Sequence, residues 1–262
     1  MMAETIDSAY ALHGPVDAPV ILLIHGLGLN QKTWNLHIPH LSERYRVLTF
    51  DLYGHGDSPP PPETPSLSLF SRQIIRMLDH LEIHSCSMVG FSLGGMINRR
   101  FALDFPHRVN ALVVLNSPHE RSPAAQKLVE NRAAETALGG PAATLDSTIE
   151  RWFTPGFRTC NLEVIAQVRQ WVLANDPEIY SRCRQVLATG VVELIRPSPP
   201  IEKPALVMTC ENDSGSSPEM AFSIAAEIAE AQTLIVPALQ HMGLIERPME
   251  FTEPIVRFLD NL

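Results

Sequence analysis

The sequence reads as an α/β fold built on a mostly parallel sheet. Three observations carry that reading. Short apolar runs recur, each closed by a polar or glycine-rich turn. Segments with a single apolar stripe at helical spacing lie between them. The first run is apolar throughout rather than alternating, as a strand buried on both faces should be. Strands alternating with helices then imply parallel neighbours joined by right-handed crossovers.

The elements follow in chain order. Val20-Ile21-Leu22-Leu23-Ile24 is the first buried strand, and Arg46–Phe50 is the next. Leu67, Phe70, Ile74, Leu78 and Leu81 recur every three or four residues, a helix for which Ser66 is the N-cap. Ser87–Val89 and Ala111–Leu115 are further strands. Between Leu115 and Ala205 the alternation breaks. That gap holds helical patterns near Pro123–Leu138, Ala142–Trp152, Glu163–Ala174 and Pro177–Ala188, and returns through the stiff Arg196–Pro200 stretch. A helical insertion between two core strands accounts for it. Residues 1–118 and 200–262 are therefore expected to form the core, and 119–199 an inserted cap. Ala205–Thr209 and Thr233–Val236 complete the strands. Ser217-Pro218 opens a helix through about Ala229, and Pro248 begins the last one.

Composition narrows the function classes. The chain has 262 residues, 45% hydrophobic and 19% charged, with net charge −9. That surplus of acid argues against nucleic-acid or anionic-membrane partners. No apolar run approaches the roughly 18–20 residues that span a bilayer. Met1–Gly14 lacks the basic start and apolar run of a secretory signal. The four cysteines (Cys86, Cys160, Cys183, Cys210) form neither a CxxC pair nor a metal spacing, which fits free thiols in a reducing cytoplasm. Pro59–Pro62 reads as a rigid loop rather than a partner motif.

The chemistry centres on Gly90-Phe91-Ser92-Leu93-Gly94, set where a strand meets a helix. A nucleophilic serine needs its hydroxyl at the tip of a sharp strand-to-helix turn, with glycines where neighbouring backbone crowds in. A serine hydroxyl also needs a base. Of ten histidines, only His241 lies after the later strands, in the loop beyond Thr233–Val236. The acid should follow the preceding strand, in the turn Cys210-Glu211-Asn212-Asp213. Asp213 is the choice, with Glu211 as the alternative. Oxyanion donors are expected from the backbone N–H groups of Leu27, in His25-Gly26-Leu27-Gly28, and of Leu93. His25 is expected to hold that loop by a hydrogen bond. Asp51–Ser58 is glycine-rich but lacks a phosphate-binding pattern, so it reads as a structural turn beneath the loop.

These residues, in this order, resemble the α/β-hydrolase superfamily across nearly the whole chain. Within it, Arg151-Trp152-Phe153-Thr154-Pro155-Gly156-Phe157, Asp176–Tyr180 and Cys183 resemble cap segments of 3-oxoadipate enol-lactonases and related lid-bearing ester hydrolases. The resemblance implies an α/β-hydrolase fold: an eight-stranded, mostly parallel sheet with a helical cap over the serine. It also implies hydrolysis of a small carboxylic ester or lactone through Ser92, without metal or organic cofactor. In the cap, Arg151 is placed to pair with a substrate carboxylate, and Trp152 belongs to the lid core or faces substrate. A small-molecule substrate and a monomer or homodimer are expected. Two other readings stand beside this one: a carbon–carbon hydrolase of ring-cleavage diketones using the same triad, and a ligand receptor on the same fold.

Overall fold

The computed structural model describes residues 8–262; the first seven, part of the stretch read for a secretory signal, lie outside the described residues. The strands are β1 (Tyr10–His13), β2 (Val20–Ile24), β3 (Arg46–Phe50), β4 (Cys86–Phe91), β5 (Val109–Leu115), β6 (Ile201–Cys210) and β7 (Ile228–Val236). They form one sheet in the order β1-β3-β2-β4-β5-β6-β7. Only β1 runs antiparallel, against β3; every other neighbouring pair is parallel.

Among the described residues the sheet thus has seven strands, not the eight that the resemblance implies. Ahead of Val20 the described residues provide a single pairing, from Tyr10↔Phe50 to His13↔Val47, before the chain turns back into β2.

The helices are α1 (Ile38–Leu41), α2 (Leu67–His80), α3 (Leu93–Asp104), α4 (Pro123–Gly139), α5 (Leu145–Trp152), α6 (Pro155–Cys160), α7 (Leu162–Leu173), α8 (Pro177–Thr189), α9 (Pro218–Ala226), α10 (Gly243–Glu246) and α11 (Met249–Leu259). Side chains start several of them as the sequence suggests. Ser66 Oγ accepts from Leu69 N at 3.0 Å, and Ser217 Oγ accepts from Met220 N at 3.4 Å. Two boundaries differ from expectation. α9 stops at Ala226 and β7 begins at Ile228. The Ala-rich run there has helical propensity, but pairing of Ile228 with Ile201 of β6 overrides it. The short α6 has too few residues to show a period in sequence.

Helices α4–α8 fall between β5 and β6 and are tied to the core at several points. Asn175 Nδ2 donates to Gly28 O at 3.1 Å, and Met242 N donates to Trp152 O at 2.8 Å. Glu246 accepts from Thr154 N at 2.7 Å and from Thr154 Oγ1 at 2.6 Å. Strands β2, β4, β5, β6 and β7 all deliver their carboxyl-end loops to the side these helices cover, where parallel sheets build their sites. Among the described residues no helix is long and apolar enough to cross a membrane.

Candidate active site

Ser92 sits on the last step from β4 into α3, with φ 56° and ψ −112°. A positive φ is uncommon for a residue with a Cβ, and strain of this kind clusters at functional sites. Packing holds the turn. A Cβ on Gly90 would lie 2.2 Å from Gly94 O, and one on Gly94 would lie 2.3 Å from Ile24 O. Both positions therefore require glycine, and the elbow is pressed against the end of β2. Ser92 N donates to Leu115 O at 2.8 Å, which fastens the turn to β5.

Asp213 follows β6 and is 3% exposed. Its Oδ1 accepts from Gly215 N at 2.9 Å and Ser216 N at 3.0 Å. Its Oδ2 accepts from Asn116 Nδ2 at 2.9 Å and faces His241 Nδ1 at 2.6 Å. Burial by itself would raise the carboxyl pKa. The His241 charge and these hydrogen bonds outweigh it, so the pKa lies below the ordinary carboxylate value. With Nδ1–H assigned as donor to Asp213, Nε2 of His241 is left with a lone pair. The imidazole is flanked by Phe91 at 5.0 Å and Trp152 at 5.9 Å between ring centroids.

Ser92, Asp213 and His241 all line one cavity of about 80 Å³, together with Leu27, Trp152 and Arg151. On this scale roughly 10–15 Å³ holds one water, so the space admits a small ligand. Among the described residues no hydrogen bond joins the Ser92 hydroxyl to His241; the two groups face the same space. In unliganded sites such contacts are commonly long and tighten with substrate.

Among the described residues, the Leu27 and Leu93 N–H groups donate to no protein acceptor. Leu93 is the first residue of α3, whose free N–H groups and dipole favour negative charge. The loop that presents Leu27 is braced from below. His25 Nδ1 donates to Gly26 O at 2.8 Å, and His25 Nε2 accepts from Leu52 N at 3.0 Å. Both bonds need a neutral ring, and burial lowers the His25 pKa to about 4. His25 thus holds the loop by hydrogen bonds. Asp51 carries the turn beneath, accepting from Gln31 N at 2.7 Å and Asp57 N at 2.9 Å.

In the inserted helices, Arg151 and Trp152 both reach the cavity, whereas Phe153 is fully buried and stacks on Phe157 at 5.4 Å. Glu211 accepts from Ala238 N at 2.9 Å and does not line the cavity, so it takes no place beside His241. Sequence reasoning missed Asn116, although its signal was present: it directly follows β5 at the carboxyl edge, where the other site residues also stand. It also missed Arg121, Arg132 and Arg184, which join Arg151 around the cavity.

A family model described as the alpha/beta hydrolase fold matches residues 19–248. 3-Oxoadipate enol-lactonase 2 of Acinetobacter baylyi is 27% identical over 97% of this chain and 94% of its own length. The (E)-2-((N-methylformamido)methylene)succinate hydrolase of the same organism is 26% identical over 92% of this chain and 90% of its own. Among solved structures, the enol-lactonase of Burkholderia xenovorans superposes with a TM-score of 0.89 at 26% identity, covering 97% of this chain and 96% of that one. A match running from just before β2 to the start of the last helix, over this elbow and sheet, makes the chain a hydrolase of the α/β-hydrolase fold family.

Proposed function

We propose that this hydrolase cleaves a small carboxylic ester or lactone through an acyl-enzyme on Ser92. One observation carries the reading. The imidazole that faces the cavity with Ser92 is held from behind by a buried carboxylate at 2.6 Å. In this mechanism Ser92 Oγ attacks the acyl carbon while His241 Nε2 takes its proton. Asp213 keeps the ring in the required tautomer and stabilises the imidazolium. The unpartnered N–H groups of Leu27 and Leu93 receive the oxyanion; losing one such donor typically costs about 3–4 kcal/mol in the transition state. His241 then returns the proton to the leaving oxygen and activates the water that frees the acid.

The likeness to two enol-lactonases supports the choice of ester and lactone substrates. Arg151 and Trp152 stand as substrate-facing groups of the cap. The partner is a small molecule, met by a monomer or homodimer in the cytoplasm, where the free cysteines stay reduced.

A serine-directed fluorophosphonate tests the nucleophile. The expected result is one adduct, on Ser92, absent in Ser92→Ala and strongly reduced in His241→Ala. A panel of p-nitrophenyl esters, enol-lactones and ring-cleavage diketones tests the bond. Turnover of the diketones alone would replace ester hydrolysis with carbon–carbon cleavage.

A further inference from the structure

Four arginines converge on the small cavity beside Ser92: Arg121, Arg132, Arg151 and Arg184. They come from four separate segments, namely the loop ahead of α4, then α4, α5 and α8. Among the described residues none of them forms a salt bridge, while eight other arginines of the chain each pair with a carboxylate. Their existing partners are neutral and few. Arg121 donates to Leu187 O and Ala188 O at 3.3 and 3.2 Å, and to Gln126 Oε1 at 3.3 Å. Arg151 donates to Thr148 Oγ1 at 3.2 Å, and Arg184 to Tyr180 OH at 3.5 Å. Nε of Arg121 and of Arg151 is buried without an acceptor.

Three of these charges, those of Arg132, Arg151 and Arg184, also act on one another. Burial lowers the Arg151 pKa to about 10, and the neighbouring charges of Arg132 and Arg184 push in the same direction. Burial and the Arg184 charge likewise lower Arg132. Two carboxylates lie near. Glu135 shares α4 with Arg132, and Asp213 is already committed to His241. Four buried or half-buried cations outnumber these two carboxylates, and that excess of like charge opposes folding. Bound anions would relieve both the repulsion and the unmet donors. Guanidinium forks match carboxylates in bidentate fashion. Their spread over four segments suits several anionic groups on one skeleton rather than one concentrated charge, and the small cavity keeps that skeleton short.

We propose that this cluster selects short esters or lactones carrying two or more carboxylates besides the acyl group under attack. The inference rests on the hydrolase reading for the position of that acyl group at Ser92. Cleavage breaks the acyl C–O bond, adds the elements of water and releases one further carboxylate. The product is then a polycarboxylate with one more charge than the substrate.

Calorimetric titration of the intact protein with tricarballylate, glutarate and butyrate tests the cluster without needing turnover. Each added carboxylate is expected to tighten Kd by about tenfold or more, an advantage that shrinks as salt is raised. Arg132→Met, at a half-buried position, should flatten the series without lowering the melting temperature, and Arg132→Lys should restore part of it. Equal Kd values across the wild-type series would overturn the proposal. So would inorganic phosphate binding more tightly than tricarballylate. Fluorophosphonate labelling of the same samples separates the two readings. A Ser92 adduct with a flat Kd series removes the polycarboxylate class and leaves the serine mechanism. A graded series without any adduct keeps the anion site and removes the mechanism.

Discussion

One oxygen of Asp213 serves two partners: Oδ2 accepts from Asn116 Nδ2 at 2.9 Å and meets His241 Nδ1 at 2.6 Å. Asn116 reaches it from the end of β5 with φ 45°, a left-handed conformation that asparagine tolerates better than most residues. Asn116→Gly keeps that backbone freedom and deletes only the amide. A hydrogen bond to a charged group contributes about 1.5–3 kcal/mol. If that bond keeps the carboxylate aimed at the imidazole, kcat should fall by about 10–100-fold with circular dichroism unchanged. Wild-type kcat in the glycine variant would show that the Gly215 and Ser216 amides suffice to aim the acid.

The elbow glycines should be far less tolerant than a glycine elsewhere. A Cβ at position 94 meets Ile24 O at 2.3 Å and His25 O at 2.8 Å, both of them backbone atoms. Gly94→Ala is expected to cost about 3 kcal/mol or more and to abolish activity, since the shift falls on the loop presenting Leu27. A methyl group added at Gly156 in α6 would meet nothing within 4 Å. Gly156→Ala should therefore stabilise the protein by about 0.4–1 kcal/mol and leave turnover intact. Thermal unfolding of the two variants reads both effects, and similar shifts would refute the packing argument.

The sequence shows some of this architecture directly and hides the rest for physical reasons. Val20–Ile24 reads as a doubly buried strand because five apolar residues without alternation fit little else. Ser92, Asp213 and His241 are visible because each stands at a strand end where turn chemistry is local. Asn116 carries no motif, and its meaning depends on β5 pairing beside β6. The arginines are harder still. Arg151 stands out through the cap resemblance, but Arg132 and Arg184 look like ordinary surface positions on two helices until the packing of those helices turns them toward the space Arg151 lines. Local propensity also misleads at residues 227–229, where a helical run yields to a sheet edge that only tertiary pairing creates.

The inserted helices are tied to the strand-bearing part of the chain by Glu246, which holds both Thr154 N and Thr154 Oγ1 from α10. Thr154 is also the N-cap of α6, accepting from Phe157 N at 3.3 Å. Glu246→Ala strands a half-buried N–H and should loosen the stretch between α5 and α6. Faster amide exchange in residues 150–158 is expected, with a rise in KM larger than the fall in kcat, because this stretch reaches the cavity through Arg151 and Trp152 and carries none of the three residues proposed for bond cleavage. Exchange unchanged in that segment would mean the Met242–Trp152 backbone bond holds this stretch by itself.

Three buried histidines make the fold sensitive to acid. Burial lowers the pKa of His25 to about 4 and of His37 to about 4. Burial, reinforced by the charge of His25, lowers His55 to about 3. In the unfolded chain such groups titrate near ~6.5. Below that pH the unfolded state binds protons that the folded state refuses. Stability is therefore fully present above about 6.5 and is lost as pH falls toward about 4, at about 1.4 kcal/mol per unit for each histidine. Three together approach about 4 kcal/mol per unit, against a typical total of about 5–15. The urea midpoint should drop steeply between about pH 6.5 and 5. His37 lies away from the cavity, paired with Thr252 Oγ1 at 2.7 Å and Leu244 O at 3.1 Å. His37→Gln should lower stability at neutral pH and make the acid slope shallower by about a third. A urea midpoint that stays constant down to about pH 5 would mean these rings accept protons inside the folded protein.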